Sequence, residues 1–299
     1  MIPPAFDYVR PSSLPEALAA LAEAGEDAKV LCGGQSLLPL LRLRLAYPSV
    51  LVDVGRLPEL HGVREEGGHV RIGAATTHDE VLRSPVVRAG CPLLPLATAT
   101  VADPAVRHRG TLGGSLAHAD PAGDLPAVAV ALDMEFVVAS AAGERAVPAG
   151  EFFVDYLETA LRPAEILVAV RVPRLGDGWG FHYEKFHLTA QAWAVVGVAA
   201  AVRPGGAGGD RRVEEARVGL TNMGPTPVRA GGVERAVRGA PLPGAGAGGS
   251  PGGAGDGVRD AAALADEGTS PPGDLHATPE YRRHLARVLT RRALLAAAA

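Results

Sequence analysis

The sequence predicts an α+β chain in which a small parallel βαβαβ unit is followed by a mixed middle lobe and a C-terminal part built on three antiparallel strands. Three observations predict it. Short apolar runs alternate with helix-spaced ones from Phe6 to Val54, long strand-like runs resume after Pro173, and a Gly- and Pro-rich run at 239–257 precedes a terminal helix. With 299 residues, 47% hydrophobic and 21% charged, the chain is long enough for two domains with real cores and has a globular composition.

Phe6 to Val9 and Lys29 to Cys32 read as short strands around a helix that starts at Ser13-Leu14-Pro15-Glu16. That spacing lets the Ser hydroxyl and the Glu carboxylate cap each other's backbone N–H groups. Leu14, Leu18 and Leu21 supply its apolar face, and Gly25 is placed to end it in a left-handed conformation. A second helix over Leu37 to Leu45 and a strand over Val50 to Val54 complete the unit. In the middle lobe, Val70 to Ala75, Glu135 to Ala139 and Ile166 to Val172 read as strands; Asp79 to Leu82, Leu93 to Thr98 and Asp124 to Leu132 read as helices. Beyond it, Phe181 to Leu188, Trp193 to Val202 and Val213 to Leu220 are strand-like, the last two joined by a hairpin with its tip at Pro204 to Gly209. A helix is expected over Pro227 to Val237, then a flexible loop over 239–257 that buries too little side chain to offset its ordering entropy. Thr278-Pro279 pairs an N-cap with Pro at the first helical position and opens the last helix. Its apolar face is Tyr281, Leu285, Val288 and Leu289, while Arg282, Arg283, Arg287 and Arg291 form a stripe that is either solvated or a partner surface.

Several classes of function are set aside at this point. A net charge of −4 and the lack of a basic patch interleaved with aromatic residues argue against nucleic acid as a partner. No secretory signal opens the sequence and no apolar run approaches the roughly 20 residues that span a bilayer, so a cytoplasmic chain without an integral membrane segment is expected. Cys32 and Cys91 are too few to ligate an iron–sulfur cluster, and the histidines lack metal-ligand spacing, so no protein-held metal is expected.

Two glycine-paired segments carry the chemistry. Cys32-Gly33-Gly34-Gln35-Ser36 lies where a buried strand hands over to a helix, so its backbone N–H groups can converge on an anion beside the helix N-terminus. It matches neither the dinucleotide fingerprint G-x-G-x-x-G nor a P-loop. Thr111-Leu112-Gly113-Gly114-Ser115 is a second glycine-paired loop, and two opposed loops suit a diphosphate. Asp124 beyond it fits either a ribose-hydroxyl acceptor or a helix N-cap. Arg107-His108-Arg109 is either a solvated turn or charge complementing the phosphates. Ser115 lacks the second glycine of a G-x-S-x-G nucleophile elbow, and no catalytic side chain is nominated.

The run Cys32 to Leu41, the run Arg107 to Pro126, and Tyr183-Glu184-Lys185-Phe186, Gly224 to Ala230 and Tyr281-Arg282-Arg283 together resemble the FAD-binding medium subunits of molybdenum hydroxylases, those of the aerobic carbon monoxide dehydrogenase type above all. The resemblance implies a two-lobed FAD-binding domain of the vanillyl-alcohol-oxidase (PCMH) type over 1–176, with lobes of about 1–57 and 58–176, then a smaller C-terminal domain over 178–299. It implies cofactor contacts from Val30, Leu31, Cys32, Gly33, Gly34, Gln35, Ser36 and Leu37, from Val101, and from Thr111, Gly113, Gly114 and Ser115. His118, Asp120 and Asp124 would follow on the ribose side, Leu167 and Lys185 at the isoalloxazine, and Trp193 as an aromatic flank of the ring or ordinary strand packing. Members commonly carry Gly-Asp where this chain has Gln191-Ala192, and Ala where it has Cys32. The implied function is electron transfer from [2Fe-2S] clusters on a small partner to FAD and an external acceptor, beside a large molybdopterin-binding subunit, as a dimer of heterotrimers. A free-standing flavin oxidase or reductase, or a nucleotide-binding scaffold, are the alternatives.

Overall fold

In the computed structural model, which describes residues 2–206, 210–243 and 256–299, the N-terminal unit has the expected order. β1 (Asp7–Val9), α1 (Leu14–Ala24), β2 (Ala28–Leu31), α2 (Leu37–Arg42) and β3 (Val50–Asp53) alternate, and the strands pair in parallel in the order β1-β3-β2. Ala17, Leu18 and Leu21 of α1 are buried in one cluster with Val52 and Val54. Ser13 caps α1 by accepting from the Glu16 N–H, but Glu16 does not return the bond to Ser13. Its carboxylate takes both donors of Ser12 instead, each at 2.7 Å. Gly25 has φ +68° with ψ −148°, outside the left-handed helical region, because the chain runs on into a 3-10 turn over Gly25–Asp27. α2 stops at Arg42, three residues before the expected end, and Arg44 turns the chain at φ +58°.

The middle of the chain is richer than its sequence suggests. β4 (Val63–Glu66), β5 (His69–Gly73), α3 (His78–Arg83), α4 (Pro85–Gly90), α5 (Leu93–Thr98), α6 (Pro104–Arg107), α7 (Leu112–His118), α8 (Asp124–Ala131), β6 (Glu135–Ser140), β7 (Gly143–Pro148), α9 (Ala149–Phe152), β8 (Phe153–Asp155), β9 (Glu158–Thr159) and β10 (Ile166–Pro173) follow one another. An antiparallel sheet in the order β4-β5-β10-β6-β7 carries the lobe. One face of β10 and β6 packs with the N-terminal unit through Ile166, Val168 and Ala139; Phe136, Leu167 and Val170 pack with the helices. α8 is buried along its whole length, as its continuous apolar run requires.

The C-terminal part contains the three expected long strands, β11 (Gly180–Phe186), β12 (Val196–Gly205) and β13 (Arg212–Thr221), and a two-residue fourth, β14 (Val228–Arg229), paired with Gly219 and Leu220. The helix expected from Pro227 therefore begins only at Gly231, as α10 (Gly231–Val237), because β14 uses the preceding backbone in the sheet. Trp193 lies before β12, in a segment without regular structure, so its strand-packing reading is corrected. Much of the run at 239–257 and part of the hairpin tip fall outside the described residues. What is described of that run is not loose: Leu242 and Ala240 are buried, Leu242 N–H donates to Arg211 O and Val213 N–H to Ala240 O, and α11 (Asp256–Ala262) takes its last two residues. The backbone pairs with β13 where few side chains are available to pack.

α12 (Pro279–Ala297) is capped by Thr278 as expected. Its arginine stripe is not uniform. Arg282 is 1% exposed, donating to Val195 O and to Asp274 at 2.6 Å, whereas Tyr281 of the expected apolar face is exposed. Leu285, Leu289, Ala293 and Leu294 pack onto β12 and β13. α8 lies between the two large sheets: a Cβ on Gly219 would overlap the Ala127 carbonyl, so only glycine allows β13 to approach this helix so closely.

Candidate functional site

A cavity of about 580 Å³ opens where the N-terminal unit, the middle lobe and β11 meet. Its size falls in the range of small-molecule and cofactor sites. Every residue nominated from the sequence lines it. The first wall is Val30 to Leu37, from the end of β2 to the start of α2. The second is Thr111, Gly113, Gly114, Ser115 and His118 of α7, with Asp120, Asp124 and Val101; Leu167 of β10, Lys185 of β11 and Trp193 at 55% exposure complete the set.

The two glycine segments touch. A Cβ on Gly33 would overlap the Arg109 carbonyl oxygen and lie 2.9 Å from Gly110 Cα, so the chain crosses itself here without room for a side chain. Gly34 follows at φ +75°. Among the described residues, no protein acceptor meets the backbone N–H groups of Gly34, Gln35, Ser36 or Leu37. Four successive donors without protein acceptors thus line the cavity, the arrangement that a backbone anion site requires.

The second segment is not a loop. Residues 112–118 are helical, with Thr111 as N-cap. Its first donors are taken: Leu112 N–H by Thr76 O, Gly113 N–H by Ala74 O, both at 2.9 Å, and Gly114 N–H by Thr111 Oγ1 at 3.1 Å. Gly113 is needed because a Cβ there would strike Ala74, and Gly114 leaves the cap room. This wall therefore offers the cavity hydroxyls and shape, not a second row of backbone donors.

Asp124 is the first residue of α8, not its cap; Gly123 is the N-cap, and no side chain caps the helix. The carboxylate points instead to β11, where Tyr183 and Lys185 share a strand face. Tyr183 hydroxyl donates to Oδ1 at 2.7 Å and Lys185 Nζ to Oδ2 at 2.8 Å. Lys185 also donates to Thr100 O at 3.1 Å. The side chains of Lys185 and Asp124 are 4% and 5% exposed. Burial pushes the Asp124 carboxyl up, opposed by the Lys185 ammonium and the Tyr183 hydroxyl, while burial and the adjacent carboxylate push the Tyr183 phenol well up. A lone buried carboxylate is costly; the cation and phenol hold it in place.

The chain as a whole matches known sequences. Residues 4–175 match the FAD binding domain in molybdopterin dehydrogenase, and residues 181–297 match the CO dehydrogenase flavoprotein C-terminal domain. The chain belongs to the FAD-binding medium-subunit family of the molybdenum hydroxylases. It is 40% identical to the carbon monoxide dehydrogenase medium chain of Hydrogenophaga pseudoflava, covering 99% of this chain and 98% of that one. It is 36% identical to the 6-hydroxypseudooxynicotine dehydrogenase complex subunit alpha of Paenarthrobacter nicotinovorans, covering 98% and 95%. Among solved structures it is similar to a chain of quinoline 2-oxidoreductase from Pseudomonas putida 86, with a TM-score of 0.90, 36% identity, and 100% and 98% of the two chains covered.

The cofactor of this family is FAD, and the cavity fits it on its own evidence. The Gly34–Leu37 donors without protein acceptors suit an anion, and a cation and carboxylate stand farther along the same cavity. Arg107 of the basic cluster turns away, donating to Val101 O and Ala102 O. Neither a metal-ligating group of His, Cys, Asp and Glu nor a helix long and apolar enough to cross a membrane occurs among the described residues. Lys29, Ala74, Glu165 and His78 also line the cavity and were not nominated. A local signal existed only for the last, since Thr77-His78-Asp79-Glu80 is a capping box that places His78 at a helix start.

Proposed function

We propose that this chain relays electrons: from [2Fe-2S] clusters on a small partner subunit to its FAD, and on to an external acceptor, beside a large molybdopterin-binding subunit. The observation that carries this reading is the cavity itself. It gathers groups suited to an anionic dinucleotide, and two of its lining side chains, Asp124 and Lys185, are bonded to each other, with Tyr183 donating to Asp124. FAD held there takes up electrons singly and gives them up singly or in pairs.

In this reading Gly34 to Leu37 bind the diphosphate, Thr111 and Ser115 orient it with their hydroxyls, and Asp124 accepts from the ribose side. Lys185 fixes a positive charge near the ring, and Leu167 and Trp193 shield it from water. No side chain of this chain acts as acid, base or nucleophile. The FAD-binding domain is placed at 1–176, with lobes of about 1–57 and 58–176, and the C-terminal domain at 178–299. The assembly is a cytoplasmic dimer of heterotrimers. Relatives of similar identity are named for carbon monoxide and for 6-hydroxypseudooxynicotine, unlike substrates, which supports a substrate pocket on another chain.

The test has two steps. The purified chain, supplied with FAD and desalted, is expected to keep flavin absorbance, and Gly114→Val, whose Cβ would lie 2.7 Å from the capping Thr111 Oγ1, to lose it. In the copurified complex, substrate is expected to bleach the flavin only when the [2Fe-2S] subunit is present; bleaching without it would refute the relay.

A further inference from the structure

His78 is the cavity residue whose chemistry the rest of the site leaves unused. It opens α3, and its backbone N–H donates to Gly110 O at 2.9 Å, tying this helix to the second glycine segment. The ring lies against Gly110, where a Cβ would come within 2.9 Å of Cδ2 and 3.2 Å of Nε2. Gly110 in turn abuts Gly33. Imidazole and the first segment thus both adjoin Gly110.

The residue is 3% exposed and lines the cavity. Nδ1 is sealed in without a hydrogen-bond partner, and no hydrogen bond of Nε2 occurs among the described residues. Burial, with the Arg107 guanidinium adding repulsion, holds the ring down to about 4, so it carries one proton at neutral pH. That proton has two places to go. On Nδ1 it would be a buried donor with nothing to receive it, costlier than a lone pair left without a donor. On Nε2 it lies beside Gly110, in a residue that lines the cavity.

We infer that His78 is a further cofactor-contacting residue, a neutral imidazole with its proton on Nε2 that donates to a diphosphate oxygen held between the two glycine segments. The inference rests on the proposed placement of the diphosphate at Gly34–Leu37. A neutral donor gives direction to the anion without the repulsion that a second cation would meet beside Arg107, and it supplies on the second wall the N–H that α7 cannot, since Leu112, Gly113 and Gly114 have already spent theirs.

The test uses the full FAD-free chain. Long-range ¹H–¹⁵N correlation on ¹⁵N-histidine protein is expected to give the Nε2–H tautomer for His78, with the Nε2 resonance moving when ADP is added. His78→Leu is expected to weaken FAD and ADP binding about ten- to a hundredfold, the effect of one hydrogen bond to a charged acceptor, at an unchanged circular dichroism spectrum. An Nδ1–H tautomer, or ADP binding at wild-type strength in a folded His78→Leu chain, would overturn the inference. Should that chain not fold, the wild-type tautomer and its response to ADP decide alone. Gly34→Val separates the two readings: if it loses ADP while His78→Leu keeps it, only the role of His78 fails, and if both keep it, the diphosphate placement fails with it.

Discussion

Lys185→Met tests the part of the site where two segments distant in sequence meet. The substitution keeps most of the side-chain length and removes the cation 2.8 Å from Asp124 Oδ2, in a place where both side chains are at most 5% exposed. At an effective dielectric constant of about 20, unit charges at that separation attract by roughly 6 kcal/mol, part of which offsets the desolvation of both groups. Removing one partner leaves the other buried with only the Tyr183 hydroxyl, and the loss expected is about 3–5 kcal/mol. The pH dependence follows from Asp124. Burial already raises its carboxyl, and without the ammonium it rises further. A carboxyl raised in the folded state binds its proton more tightly there than in the unfolded chain, so the variant is most stable below the unfolded carboxylate range and loses stability as pH rises through the folded value. The assay is urea denaturation of wild type, Lys185→Met, Asp124→Asn and the double variant between pH 5 and 8. Asp124→Asn in the Lys185→Met background is expected to recover much of the loss at pH 8, since an amide needs no counter-charge. A Lys185→Met midpoint within the error of wild type and flat with pH would refute the claim that this pair is a buried, mutually dependent ion pair.

Three other perturbations are as direct. Gly33→Ala forces a Cβ into the Arg109 carbonyl and is expected to part the two glycine segments, abolishing retention of FAD on desalting while the far-UV circular dichroism persists. Arg282→Met leaves Val195 O without its buried donor, while Asp274, 42% exposed, is solvated instead, and is expected to cost about 1–3 kcal/mol in urea denaturation, whereas the exposed Arg259→Met should fall within about 0.5 kcal/mol of wild type. Burial pushes the Cys91 thiol up to about 12 and raises that of Cys32, so iodoacetamide at pH 8 is expected to modify neither in the folded chain over the time that labels both in urea, as mass spectrometry would report.

What could be read ahead of the structure was whatever local chemistry determines. The parallel unit was legible because strands and helices alternate within a few residues of one another, and α1 and α12 because Ser13 and Thr278 cap them with Pro in the first turn. The short strands β7, β8 and β9 were not. Gly143 to Pro148 mixes charge and small residues at an edge of its sheet, so no alternation marks it. Arg282 sits within an apparently basic stripe, and its burial depends on Asp274 and on a carbonyl far upstream, neither of which helical periodicity reports. The resemblance put both Asp124 and Lys185 near the cofactor, but that they hold each other was visible only once β11 had been laid against α8.

The glycine pairs show where such reading reaches its limit. In both segments the residue type was informative and the reason for it was not. Gly34 has the positive φ that the sequence suggests, Gly33 instead permits a backbone crossing that the sequence does not announce, and the donors that follow have no protein acceptor. Gly113 and Gly114 have an identical spelling and a different cause: they lie inside a helix, the first because Ala74 leaves no room for a Cβ and the second because it makes room for the Thr111 cap. A diphosphate placed as proposed would therefore meet backbone donors on one side only. On that placement the site would be asymmetric, and the demand for a donor on the poorer side would fall on side chains that line it, the hydroxyls of Thr111 and Ser115 and the imidazole of His78.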